Sequence, residues 1–311
     1  MGSADHARAA VPDDGRGRSA PQRRGVLVLK ILVTGANGFT GRHFTAHASA
    51  AGHNVVALQA NLTDKDALHD EVGQVAPDAV VHLAAISFVG HADLDAFYTV
   101  NVVGTTHLLD ALVQLPVAPH RVLIASSANV YGNSDRSPLA ETYVPAPVNH
   151  YAMSKLAMEY MARTYADRLN IVITRPFNYT GPGQNINFVI PKLAKHFAER
   201  AASVALGNLD VEREFNDVQL VCNAYMALLS HGEPGETYNV CSGQPYTLRE
   251  IIDTFEAITG HQMTIEVNPA FVRKNEVHRL CGNPDKLNTI LRASGVALDV
   301  PTLRATLTRM L

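Results

Sequence analysis

The sequence predicts an α/β fold of the doubly wound type: a parallel sheet with helices on both faces, followed by a smaller, discontinuous C-terminal lobe. Three observations predict it. Apolar, strand-like runs alternate with amphipathic, helix-like runs from Val26 onward. The first of them ends in a glycine-rich turn. The rhythm then breaks after Asn178, in the Gly/Pro/Asn-rich stretch "YTGPGQNINF". Strands separated by helix-length segments need crossover connections, and these produce parallel strands covered on both faces.

"VLVLKILVTG" is the first strand, and "NGFTGRHFTAHASAAG" is the turn and first helix, which stops at Gly52. "HNVVALQ" is the second strand and "DKDALHDEVGQV" the second helix. "PDAVVHLAA" is the third strand, and the apolar run over 93–115 reads as one long third helix. "HRVLIASS" is the fourth strand, 151–169 the fourth helix, and "NIVITRPFN" the fifth strand. Past the break, helices start at Pro191 and near Asp217, and "ETYNVC" returns as a strand. "TLREIIDTFEAITG" is the clearest helix of a remainder read as helix and loop. The chain has no internal repeats.

At 311 residues, 47% hydrophobic and 18% charged, the chain is an ordinary globular protein, large enough for one domain or two sharing a core. A formal charge of −3 argues against a general nucleic-acid or membrane surface. Cys222, Cys241 and Cys281 are odd in number and form no C-x-x-C pair, which fits reduced thiols in a cytoplasm. Residues 1–25 are polar, rich in Gly, Pro and Arg, and aperiodic; they read as a disordered extension. "RRGVLVLKILV" superficially suggests an export signal. Its apolar run is short, is interrupted by Lys30 and continues into the glycine turn, so a buried strand is the better reading.

"VTGANGFTG" spaces Gly35, Gly38 and Gly41 as G-x-x-G-x-x-G between strand and helix. Glycines let the backbone turn tightly and approach a pyrophosphate, whose charge a helix N-terminus stabilises. Asn37, Phe39, Thr40 and Arg42 share that turn and are candidate cofactor contacts. An NAD site usually carries an acid at the end of the second strand. Here that end reads "ALQANLTD", with Gln59 and Asn61. Lacking that repulsion towards a 2′-phosphate, the chain is expected to favour NADP(H) over NAD(H). Arg42 either adds positive charge there or pairs with solvent or a nearby Asp.

"NHYAMSKLAMEY" sets Tyr151 and Lys155 four residues apart, on one face of a helix. An ammonium favours phenolate and would bring the tyrosine towards acid–base work. By itself the pair reads as an ordinary surface Tyr/Lys pair; its setting changes that. The glycine turn, "HLAA", "SSANVYG" and Tyr-x-x-x-Lys, in this order, resemble the extended short-chain dehydrogenase/reductase family of nucleotide-sugar enzymes, from about Leu29 to the C-terminus. The resemblance implies a Rossmann fold and a catalytic Ser127, Tyr151 and Lys155. It implies Asp64 at the adenine, with Asn61 and Leu62 beside it. It places 82–85, with Leu83, Ala84 and Ala85, beneath the cofactor, and counts Pro176 among the cofactor contacts. Asn101 matches a family asparagine that packs into a helix distortion, although a plain helical asparagine reads almost as well.

Sugar 4,6-dehydratases of this family carry an acidic pair after the catalytic hydroxyl, and here those positions are Ala128 and Asn129. Neither exchanges a proton in that role, which leaves a reductase or an epimerase. "RPFNYTGPGQ", "FVIPKLAKHFAER", "GNLDVEREFNDV" and "GETYNVCSGQPYTLREII" resemble the GDP-4-keto-6-deoxy-D-mannose reductases, which make GDP-D-rhamnose. That resemblance implies a substrate site of Ser87, Ser127, Asn178, Val189, Lys192, Arg213, Arg273 and Glu276. Arginine forks suit a diphosphate, which needs more than one cation. Leu220 stands where the pattern has an Asp, Lys274 where it has a Pro, and "SSANVYG" is more epimerase-like. A dTDP-linked sugar, the talose epimer as product, a 4-epimerase with bound NAD and a non-catalytic dinucleotide sensor therefore stay open.

The resemblance further implies a cofactor unit over 26–178, rejoined by 208–241, and a nucleotide-sugar lobe over 179–207 and 242–311. It also implies a homodimer through a four-helix bundle made by the third and fourth helices. His43 and His47 have i,i+4 spacing but lack an intervening Glu and a third ligand, so no metal is expected.

Overall fold

The computed structural model describes residues 2, 28–87, 92–134, 136–269 and 278–311. The expected N-terminal extension, apart from Gly2, and the candidates Arg273 and Glu276 lie outside the described residues.

The chain runs β1 (Lys30–Thr34), α1 (Phe39–Ala50), β2 (Asn54–Ala57), α2 (Lys65–Val75), β3 (Ala79–His82), α3 (Leu94–Tyr98), α4 (Thr105–Val113), β4 (Arg121–Ala125), α5 (His150–Arg163) and β5 (Ile171–Pro176). Then come β6 (Tyr179–Thr180), α6 (Val189–Ala198), β7 (Ser203–Leu206), β8 (Glu212–Glu214), β9 (Asn216–Asp217), α7 (Val218–His231) and β10 (Thr237–Val240). The C-terminal part is β11 (Pro245–Thr247), α8 (Leu248–Thr259), β12 (Thr264–Val267), β13 (Arg279–Leu280), α9 (Asp285–Ala293) and α10 (Leu303–Thr308).

Six strands form one parallel sheet in the order β10-β5-β4-β3-β1-β2. From β1 the chain first steps outward to β2, then returns across β1 to β3. The carboxyl ends of β1 and β3 therefore flank the switch point, where open α/β sheets bind ligands. Alternation along β1 shows how the sheet is covered. Ile31 and Val33 join Phe44 of α1, Val221, Tyr225 and Leu228 of α7 and Leu287 of α9 on one face. Leu32 joins Leu68 of α2, Leu108 and Leu112 of α4 and Met158 of α5 on the other. A second core lies off the sheet, where Leu193 and Phe197 of α6 meet Ile251 and Phe255 of α8, with the two phenyl rings 5.1 Å apart.

Two expectations are corrected. The helix read over 93–115 is interrupted by a π-helical turn, Thr99–Gly104, between α3 and α4. The C-terminal remainder is not only helix and loop. It contributes β11 and β13 to a three-stranded sheet on β8, and β12 pairs with β7. These strands are two to four residues long, below the length at which alternation can be read. Among the described residues no helix is long and apolar enough to cross a membrane.

Candidate active site

Three strand ends build the site. Gly35 follows β1 with φ of +68°, and a Cβ there would lie 2.7 Å from the Ala84 backbone nitrogen. The two strand ends are held together by Thr34, whose hydroxyl accepts from the amides of Leu83 and Ala84, both at 3.1 Å. At Gly41 a Cβ would sit 2.1 Å from the Gly35 carbonyl oxygen, so α1 closes on the turn only with glycine there. Gly38 caps α1 without a side-chain bond, which leaves first-turn amides of a 12-residue helix without that partner. Close backbone approach, an uncapped helix N-terminus and the switch point together fit a dinucleotide pyrophosphate.

The other residues of the turn are tied to the chain after β5. The Thr40 hydroxyl is 2.7 Å from the Tyr179 hydroxyl, and the Phe39 and Tyr179 rings stack at 6.1 Å. Arg42 donates to the carbonyls of Asn37 at 2.7 Å and Gly183 at 3.2 Å. Its guanidinium therefore braces two loops. Asp64 is the N-cap of α2, accepting from Ala67 at 3.1 Å, and Asn61 accepts from the amide and hydroxyl of Thr63. Leu62 is buried against Gly104. The end of β2 has no acid of its own in sequence, yet the fold supplies one. Glu71 of α2 accepts from the amides of Gln59 at 2.8 Å and Ala60 at 2.6 Å. A carboxylate from α2 therefore lies at the end of β2, where the local sequence has none.

The structure sets Tyr151 beside Ser127, and Lys155, one helical turn on, reaches the carbonyl two residues before Ser127. Asn149 caps α5 through the Ala152 amide at 2.8 Å, which starts the helix at His150 and puts Tyr151 in its first turn. Tyr151 is 8% exposed, with its phenol beside Ser127. Burial pushes its phenol up, partly offset by the neighbouring Ser127 hydroxyl. The sequence led us to expect lowering by Lys155, but burial is the larger effect and keeps the phenol protonated at neutral pH. Ser127 accepts from both the amide of Asn129, at 3.2 Å, and its side-chain amide, at 3.0 Å. Two donors on its lone pairs leave the Ser127 proton to point towards Tyr151 and whatever binds there.

Lys155 is 3% exposed and donates to the Ala125 carbonyl at 2.8 Å. Burial lowers its ammonium to about 8, against a smaller upward pull from Glu159. The π-helical turn serves this helix. Asn101, in that turn, accepts from Ile86 at 2.9 Å and donates to Ile86 at 3.2 Å and to Ser154 at 3.0 Å. This is the helix distortion expected for Asn101. Beneath it, Thr105 donates its one hydroxyl hydrogen to the Asn101 carbonyl at 2.7 Å. His82 Nε2, 2.8 Å from that hydroxyl, must then be the donor, and Nδ1 accepts from Thr34 at 2.7 Å. Burial, with Lys155 nearby, lowers His82 to about 3, so this imidazole is neutral.

Among the other candidates, Ser87 is exposed beside the segment that leads from β3, and Pro176 ends β5. The Asn178 carbonyl accepts from the Asn216 amide at 2.9 Å. Val189 begins α6 and packs on the second core. Lys192 donates to Ala205 at 2.7 Å, and Arg213 to Glu212 at 2.9 Å. Sequence reading missed Asn129 as the partner of Ser127, Glu71, and a buried pair, Glu159 and Arg175. Among the described residues no group of three or more His, Cys, Asp or Glu is arranged to hold a metal ion.

The family described as NAD dependent epimerase/dehydratase matches residues 31–241. The chain is 38% identical over 269 residues to GDP-6-deoxy-D-talose 4-dehydrogenase of Aggregatibacter actinomycetemcomitans, covering 85% of this chain and 91% of that one. It is also 38% identical over 278 residues to GDP-6-deoxy-D-mannose reductase of Pseudomonas aeruginosa, covering 84% and 90%. The fold superposes on the structure of RMD from Pseudomonas aeruginosa complexed with NADPH, with a TM-score of 0.83 and 34% identity, over 91% and 96% of the two chains.

Proposed function

The chain belongs to the NAD dependent epimerase/dehydratase family, and from that premise we propose that it is a reductase of the C4 ketone of a nucleotide-diphospho-4-keto-6-deoxyhexose. GDP-4-keto-6-deoxy-D-mannose is the substrate and GDP-D-rhamnose the product. The observation that carries the reading is a buried, protonated Tyr151 beside Ser127, on a wall whose next two residues, Ala128 and Asn129, have no acid. A reductase needs an acid at one oxygen. A dehydratase needs a further acid and base.

The coenzyme, when bound, supplies the hydride. Tyr151 gives its proton to the C4 oxygen as the carbonyl becomes a hydroxyl. Ser127, held by Asn129, donates to the same oxygen. Lys155, one helical turn from Tyr151, supplies a positive charge that favours the phenol's ionised form. Asn178, Lys192, Arg213 and the undescribed Arg273 and Glu276 are assigned to the nucleotide diphosphate and its sugar by resemblance. For the coenzyme we depart from the sequence-based expectation of NADP(H): with Glu71 on the end of β2 and Arg42 bonded to two carbonyls, the reading here is NADH.

6-Deoxy-D-talose and D-rhamnose differ only at C4, and the two 38% relatives carry one name each. The same ketone reduced from the other face is thus the second reading. We assign residues 26–178 and 208–241 to the cofactor unit and 179–207 with 242–311 to the nucleotide-sugar lobe; α9 nonetheless packs on the sheet. We also infer a homodimer, because α5 leaves Met153 45% and Tyr160 58% exposed, with Val103 of the π-helical turn exposed as well. Free, buried Cys222, Cys241 and Cys281 support a cytoplasmic setting. The test is oxidation of NADH and NADPH with GDP- and dTDP-linked 4-keto-6-deoxyhexoses, with products resolved by NMR. Stoichiometric coenzyme loss supports the reductase. Epimerisation of a nucleotide sugar without it, on protein purified with NAD bound, overturns the reading in favour of an epimerase.

A further inference from the structure

We propose that Glu159 is a positioning residue of the catalytic centre: through Ser126 it fixes the corner that carries Ser127, and its carboxylate is the counter-charge of Lys155. The inference rests on the reductase reading above.

Glu159 is 0% exposed, one helical turn beyond Lys155 on α5. A carboxylate at that depth persists only when fully bonded. Three donors satisfy it. Arg175 of β5 makes a two-pronged contact, Nε to Oε1 at 2.9 Å and Nη2 to Oε2 at 2.6 Å. The Ser126 hydroxyl donates to Oε1 at 2.5 Å. Arg175 is itself held by the Tyr131 hydroxyl at 3.0 Å, which donates on to Asn239 at 2.8 Å. One carboxylate thus ties α5 to β4 and β5.

What it ties is the corner that matters. Ser126 sits between Ala125, whose carbonyl receives the Lys155 ammonium, and Ser127, which lies beside the Tyr151 phenol. The Ser126 amide donates to Thr174 at 2.7 Å, so its backbone and side chain are both fixed. Ser127 therefore faces up into the site while Ser126 is anchored below it.

The charges around Lys155 give Glu159 its second role. From β3 comes His82, which is neutral. From β5 comes Arg175, whose charge is engaged by Glu159. From α5 come Tyr151 and Glu159. Among these groups Glu159 alone is a carboxylate. Without it the buried ammonium is harder to keep and the phenolate of Tyr151 easier to form. Both changes move the alkaline limb of activity to lower pH.

The test compares Glu159→Gln, Ser126→Ala and Ser126→Thr with the native enzyme, after the native protein has shown ketone reduction; without that activity the reductase reading fails, not this inference. Glu159→Gln should shift the alkaline limb of kcat down by about one pH unit. Ser126→Ala should lower kcat about tenfold with KM unchanged. Ser126→Thr, which keeps the hydroxyl, should restore it. NADH binding, followed by fluorescence, should stay within twofold in the serine variants. If Glu159→Gln does not fold, the Ser126 pair decides. An unchanged kcat in Ser126→Ala, or an unmoved limb in folded Glu159→Gln, overturns the proposal.

Discussion

Replacing Tyr151 by Phe removes one oxygen and leaves the ring, which packs 6.2 Å from Phe97, in place. The lost hydroxyl lies buried beside Ser127, and a neutral polar contact of this kind contributes at most about 1 kcal/mol net. Ser127 keeps its two Asn129 donors, so no buried acceptor is orphaned. The melting temperature should therefore fall by only about 1–2 °C. Turnover should respond far more, because the removed proton is the one that neutralises the C4 oxygenate. Loss of a positioned acid lowers kcat by roughly 10²–10⁴-fold. The assay is absorbance of NADH at saturating 4-keto sugar, with coenzyme affinity measured separately by fluorescence. The glycine turn that would hold the pyrophosphate is untouched, so affinity should not move. A Tyr151→Phe enzyme retaining more than a tenth of native kcat would refute the assignment of this phenol as the proton donor.

Arg175→Met leaves Glu159 buried without its two-pronged partner and should cost about 3–5 kcal/mol in a urea titration. Gly41→Ala forces a Cβ to 2.1 Å from the Gly35 oxygen, so coenzyme binding by calorimetry should be lost or the fold destabilised. Glu71→Gln removes a charge from the end of β2; an interaction of about 1 kcal/mol predicts NADPH binding tightened roughly fivefold, with NADH unchanged. Burial holds Lys155 near 8, below its ordinary 10.5, so between those values the unfolded chain binds the extra proton. Stability relative to Lys155→Met should accordingly rise with pH across that window, as read from melting curves.

The parallel sheet and its glycine turn were legible because strands buried on both faces read as unbroken apolar runs, and because Gly35 and Gly41 are places where backbone meets backbone. Tyr151 and Lys155 were legible by their spacing on one helix. What escaped depends on contacts between distant segments. Glu71 reaches Gln59 from twelve residues away, and no local pattern announces it. The π-helical turn keeps the apolar composition of a helix; only the resemblance pointed to it at Asn101, and its bonds to Ile86 and Ser154 show what it does. Glu159 and Arg175 left a faint trace, since a carboxylate on the buried face of α5 and a guanidinium inside the apolar strand "IVITRP" each need a partner. Burial also inverted one inference: the ammonium was expected to govern Tyr151, and desolvation governs it instead.

The most direct trial of hydride delivery to the sugar uses NADH carrying two deuteriums at the nicotinamide C4, with GDP-4-keto-6-deoxy-D-mannose as acceptor. One deuterium at C4 of a GDP-6-deoxyhexose for each NADH oxidised is the expected result, and the NMR couplings of its neighbours then distinguish rhamnose from talose. A product that carries no deuterium, or an NADH signal that stays constant while the sugar changes, would contradict it.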